Sequence, residues 1–345
     1  MLSGSAFASD PDSVPDRYIS LALQGDLSRA ETLFSSMNPD TAPISDGELA
    51  DRFQSRFIEQ SEDLSPGTGD AFTDAVVSAY RKYWILTLVG DVSSQEGEDF
   101  LESSLRQVLS KLNKAEFSSP SAGVFELVSE IFDEKGVHIL DTSAPPLRDL
   151  FLWKTEENRK YSVRLTDRTQ RVSVTFMNGM YSMGWKQFAT LGLVATTGWV
   201  EGGRLYCVEQ AYDRNSENFS ISYLKHEARH LADFENFPEL LSAELEYRAK
   251  LTELAFASAS TRQLLDDFTS KSAPNPASPH AYANFRVTRD VYREVFDAPF
   301  PESGDPWQVI DVHSVNKAAR DLLQRDTNML QAVGAGHARD SLEMP

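Results

Sequence analysis

From Pro15 to about Asn113 apolar residues return every three or four positions, which is the spacing of helices that bury one face. Helices are expected over Asp16 to Gln24, Leu27 to Met37, Asp46 to Gln60, Gly69 to Leu88 and Glu98 to Leu112, separated by stretches rich in Gly, Pro, Ser and Asp. Ala79-Tyr80-Arg81-Lys82-Tyr83-Trp84 is aromatic and basic enough for a stacking platform, yet its helical spacing favours core. Beyond Ser118-Ser119-Pro120-Ser121, which reads as a linker, the pattern changes. A helix at about Val124 to Glu134 precedes strand signals at Val137 to Leu140, Asp149 to Thr155, Lys160 to Leu165 and Arg171 to Phe176. Glu156-Glu157-Asn158-Arg159 reads as the turn of a hairpin, so the sheet should be mainly antiparallel.

Gly202-Gly203 punctuates two further short strands, Thr197 to Val200 and Arg204 to Glu209. One helix is expected over Phe219 to Phe234, broken by Asn236-Phe237-Pro238, and a second over Glu239 to Ser258. Ser278-Pro279 starts another that runs to about Phe296, and the last spans Ser314 to Ala332. The fold class is α+β. Residues 1–16 read as disordered, 17–117 as a helical module, 122–333 as a domain with a small sheet, and 334–345 as a flexible tail. Within the module, RYISLALQGDLSRAETLF resembles one helical hairpin of the tetratricopeptide type, but no second copy recurs at a fixed period. These helices are therefore expected to pack on the rest of the chain or to hold a protein partner.

Composition narrows the classes. The net charge of −19 argues against nucleic acid and anionic membranes, because both require clustered Lys and Arg. No apolar run reaches the roughly 18 residues of a membrane span. The single cysteine, Cys207, lies in a strand-like stretch and reads as a small core residue; it allows no internal disulfide. The first residues carry no basic and apolar signal pattern, so the cytoplasm is the default expectation, with secretion or the periplasm open if a leader has been removed.

Candidate chemistry concentrates in His226-Glu227-Ala228-Arg229-His230, an HExxH pattern. In a chain with six histidines it arises by chance on the order of one time in a hundred. One helical turn apart, the two imidazoles can reach one metal ion, while Glu227 can address a water on it. Ile221, Leu224, Ala228 and Leu231 form a separate apolar stripe that would seat the helix. A catalytic metal needs a third ligand. In the next helix Glu246, Ala249 and Glu253 share a face, whereas Glu244 falls in line with Tyr247 and Leu251, so Glu246 is favoured and Glu244 comes next. Asp233, in the last turn of the first helix, could be the third ligand, an acceptor for a ligand imidazole N–H, or a solvated helix end; Glu253 could also be such an acceptor.

HExxH with a glutamate on the following helix resembles the gluzincin, thermolysin-like branch of the zinc metallopeptidases, over about Phe219 to Ala255. The resemblance implies zinc held by His226, His230 and Glu246, with Glu227 as general base on a peptide or protein substrate. It departs in two respects: the interval from His230 to Glu246 is shorter, and the acidic residue expected four positions after the ligand is Lys250. An oxyanion donor is sought among His280, Tyr282, Arg286 and His313, with His280 first. A short edge strand before the helix would suit binding an extended peptide, and Phe176 to Trp185 could line a pocket or fill core. The alternative is a non-enzymatic helical interaction protein whose HExxH helix is structural or vestigial.

Overall fold

A computed structural model describes residues 13–37, 43–112, 123–276 and 278–333. Most of the N-terminal stretch, the Ser-rich linker and the expected C-terminal tail lie outside these residues. The chain forms two compact units, one of residues 2–157 and 177–197, the other of 158–176 and 198–345. The division falls within two long strands, so α6, β1 and the first half of β2 belong with the N-terminal helices.

The first unit contains α1 (Val14–Leu23), α2 (Leu27–Ser35), α3 (Ile44–Phe53), α4 (Ala71–Leu88), α5 (Ser94–Ser110), α6 (Val124–Lys135), β1 (His138–Ala144) and α7 (Gly184–Ala189). Side-chain caps fix several starts. Ser13 accepts from the Asp16 N–H, Asp26 and Asp70 cap α2 and α4, and Ser93 with Glu96 forms a capping box on α5. The Ser13 cap places Val14 to Asp16 in helix, where disorder was expected. Tyr18, Phe53, Phe57, Tyr80, Tyr83, Trp84, Phe132 and Trp185 are buried in one cluster, which confirms the aromatic segment of α4 as core. α3 continues into a π-helical turn, Gln54–Ile58.

β2 (Leu147–Arg164) and β3 (Thr169–Met183) run from one unit into the other. Glu156 to Arg159 makes no turn. It contains neither Gly nor Pro to break a strand, and its polarity reflects exposure along β2. The chain reverses at residues 165–168, where the Leu165 N–H bonds the Arg168 carbonyl at 2.8 Å. The sheet order is β1-β2-β3-β5-β4, and the β1–β2 and β4–β5 pairs are antiparallel, as expected.

The second unit adds β4 (Gly198–Glu201), β5 (Arg204–Val208), α8 (His226–Asn236), α9 (Ser242–Phe256), α10 (Thr261–Ser270), α11 (Pro279–Phe296) and α12 (Val312–Val333). The sequence pattern did not predict α10, which buries Leu264, Leu265 and Phe268. α9 packs against α8, α11 and α12, and every residue from Leu245 to Ala255 is buried. A helix enclosed on all sides usually reads as apolar all round. This one instead carries Glu246, Arg248, Lys250 and Glu253, each of which needs a partner. No helix among the described residues is long and apolar enough to cross a membrane.

Candidate metal centre

The segment before the motif is not regular α-helix. Asn218–Lys225 is π-helical, and the chain tightens into α8 at His226 itself. The expected stripe is present: Ile221, Leu224 and Ala228 are buried, and Leu231 packs at the edge of the cluster that holds Leu224 and Ala228. Tyr223 is buried beside them, and its hydroxyl donates to the Tyr206 carbonyl at 2.9 Å, tying the segment to β5. Gly198 on β4 makes this approach possible, since a Cβ there would stand 2.3 Å from the Tyr223 ring.

From His226 onward the regular turn sets the two imidazoles edge to face, with their Nε2 atoms 3.0 Å apart. α9 brings Glu246 against both: Oε1 lies 3.2 Å from His230 Nε2 and Oε2 lies 3.6 Å from His226 Nε2. His226, His230 and Glu246 form a group that could hold a metal ion. Metal–ligand bonds of about 2.0–2.1 Å in a tetrahedral shell put ligand atoms roughly 3.3 Å apart, so these separations match three corners of such a shell. His226 Nδ1 lies 2.7 Å from Glu253 Oε1. That carboxylate holds a proton on Nδ1 and turns Nε2 toward the group, the orientation metal-bound histidines use. His230 Nδ1 is buried and has no hydrogen-bond partner among the described residues. A buried carboxylate ringed by nitrogens favours a cation beside it, and His280 Nδ1, 2.9 Å from Oε2, supplies only part of that pairing.

The electrostatics agree. Burial opposes a charge on His226, but Glu246 and Glu253 outweigh it and hold the imidazolium to a pKa of about 10. Burial likewise opposes charge on Glu246, yet His280, His226 and His230 keep its carboxyl well below the usual range. The group thus favours a positive charge at its centre.

The other expected residues sort clearly. Glu244 accepts from the Leu241 N–H at 2.7 Å and caps α9, so it is not brought to the group. Asp233 is neither a ligand, nor an acceptor for a ligand imidazole, nor solvated. It is fully buried and receives Arg229 at 2.7 Å and Arg248 at 2.8 and 3.1 Å. Arg229 also reaches Asp167, and Arg248 reaches Asp326 and Thr327. The pull of two guanidiniums outweighs the helix dipole that disfavours an aspartate in this turn. Glu227 is buried in the first turn of α8 and makes no hydrogen bond among the described residues. His280 is drawn to the group, with Nδ1 2.9 Å from Glu246 Oε2 and most of its side chain exposed. Arg286 instead covers the Tyr247 ring, and His313 is exposed at the start of α12.

Sequence reasoning did not include Lys250 in the site, although its Nζ lies 3.8 Å from Glu246 Oε2 and over the Phe268 ring. Its position four residues after Glu246 was the available signal. Cys207 is core: fully buried, its thiol pushed up to about 12 by burial. Compared with family models, curated proteins and solved structures, the chain matches none.

Proposed function

We propose that this protein is a zinc-dependent metallopeptidase. The observation that supports it best is the buried His226–His230–Glu246 group, with Glu253 holding the tautomer of His226. Two imidazoles and one carboxylate suit zinc, and three protein ligands leave a fourth position for water. When bound, zinc lowers the pKa of that water to about 7 and polarises a carbonyl. Glu227, whose side chain makes no hydrogen bond among the described residues, would accept the proton of that water and pass it to the leaving amine. His280, exposed beside Glu246, is the candidate donor to the developing oxyanion. β4 is the terminal strand of the sheet and packs near α8, where an extended peptide could add as a further strand.

Elemental analysis tests the centre first. About one zinc per chain is expected in the wild type and in Glu244→Ala, and none in Glu246→Ala. Glu227→Gln should keep the metal and lose peptide hydrolysis by at least about a hundredfold. A wild type that takes up no zinc on reconstitution would return the chain to the interaction-protein alternative, and full activity in Glu227→Gln would refute the base.

A further inference from the structure

The first unit contains a cleft of about 450 Å³ that the proposed peptidase chemistry does not use. In a chain with 52 acidic and 33 basic residues, three arginines line it: Arg52 on α3, Arg56 in the π-helical turn and Arg81 on α4. Each is anchored by one N–H to a backbone carbonyl. Arg52 bonds Leu191 at 2.6 Å, Arg56 bonds Phe188 at 3.1 Å and Arg81 bonds Leu64 at 3.0 Å. Arg56 also forks onto the Glu62 carboxylate at 2.6 and 2.7 Å. Arg52 and Arg81 form no ion pair among the described residues, so two fixed guanidiniums keep unused donors at the cleft. The guanidinium carbons of Arg56 and Arg81 lie 4.8 and 5.7 Å from the centre of the Phe188 ring.

Two independent signs mark this place as built. Leu191, one of three non-glycine residues with positive φ among those described, lines the cleft, and a leucine there is strained backbone. The turn bearing Arg56 is π-helical, as is the segment leading into the metal centre, and such turns recur at functional sites. Burial lowers the Arg81 pKa and the neighbouring Arg56 cation adds to it, against the opposing pull of Glu62 and Asp63. The fork on Glu62 is the geometry by which guanidinium holds carboxylate or phosphate.

The geometry points to a binding site for a small organic oxyanion, a carboxylate or a phosphate ester, gripped by Arg52 and Arg81 beside Arg56, with its apolar part on Phe188 and Met180. The volume is within the range of roughly 300–1,000 Å³ of small-molecule sites. Glu62 is the internal anion with which such a ligand competes.

The test is calorimetric titration of the full chain with succinate and with phenyl phosphate at fixed ionic strength, chloride serving as the screening control. Saturable binding of one or both is expected, and which one binds tells a carboxylate site from a phosphate site. Binding should weaken at least tenfold in Arg52→Gln and in Arg81→Gln, and strengthen severalfold in Glu62→Gln, which leaves all three arginines in place. Should an arginine variant fail to fold, Glu62→Gln carries the decision by itself. No saturable binding by wild type or Glu62→Gln up to about 10 mM, the millimolar limit of a weak site, would overturn the proposal. So would equal affinity in wild type and every folded variant.

Discussion

Replacing Asp233 by asparagine probes the connection that fixes α8 against α9. The change keeps the side chain's size and removes its charge from a site that is fully buried and receives three hydrogen bonds from two arginines. Removing one partner of a buried ion pair costs about 3–5 kcal/mol, because the remaining charges are left uncompensated. Here Arg229 retains Asp167 and Arg248 retains Asp326, and both of these carboxylates are partly exposed, which moves the expectation to the lower end, about 3 kcal/mol. Urea unfolding at pH 7 reads this as a lowered midpoint at unchanged slope. Asp321→Asn is the control. It removes one partner from the exposed pair with Lys317 and should cost less than about 0.5 kcal/mol. A loss within about 0.5 kcal/mol of the wild type for Asp233→Asn would refute the charge reasoning. Folded Asp233→Asn should also retain its metal, since Asp233 bonds arginines and no ligand; a metal-free folded variant would mean the aspartate acts at the metal after all.

Three further expectations test other parts of the second unit. Glu253→Gln should weaken zinc affinity by about 10–100-fold, measured by chelator competition, by loosening the hold on the His226 tautomer; unchanged affinity would dismiss that role. Gly198→Ala forces a Cβ into the buried Tyr223 ring and should cost about 1–3 kcal/mol in urea unfolding, whereas a neutral result would mean that β4 can move away from the π-helical segment. Glu217 accepts from the backbone and hydroxyls of Ser258 and Ser260 at the start of α10; burial opposes its ionisation, but these bonds prevail and lower its pKa to about 2. A depressed carboxylate contributes stability that is full above its unfolded pKa and lost as pH falls through the folded value. The wild type should therefore lose stability relative to Glu217→Gln as pH drops from about 4.5 towards 2, and parallel curves for the two would contradict it.

Much of the candidate metal centre was legible because it is local. His226 and His230 are one turn apart, so any regular helix through them brings their rings together. The break at Asn236 to Pro238 announced a second helix that returns over the first, and the face that Glu246 shares with Ala249 and Glu253 ranked Glu246 above Glu244 as the third ligand. Helix periodicity likewise marked the N-terminal helices and the buried aromatics of α4, since the burial of one face is written at every third or fourth residue.

Partnership across long separations was not legible. Asp233 looked like a helix end opposed to its own dipole, and only folding brought Arg248, fifteen residues on, and Asp326 into the same buried network. Glu156 to Arg159 looked like a turn because polar residues mark both loops and exposed strands, and pairing alone tells them apart. Arg81 of the cleft is 25 and 29 positions from Arg56 and Arg52, and the carbonyls that anchor those two, at Phe188 and Leu191, are more than a hundred residues from them. The sequence by itself determined most of the helical segments, the shared face of the two histidines and that acidic residues dominate the chain. Tertiary structure alone decided which charges are buried together, because the energy of an ion pair depends on distance and solvent exposure, neither of which is encoded in residue spacing.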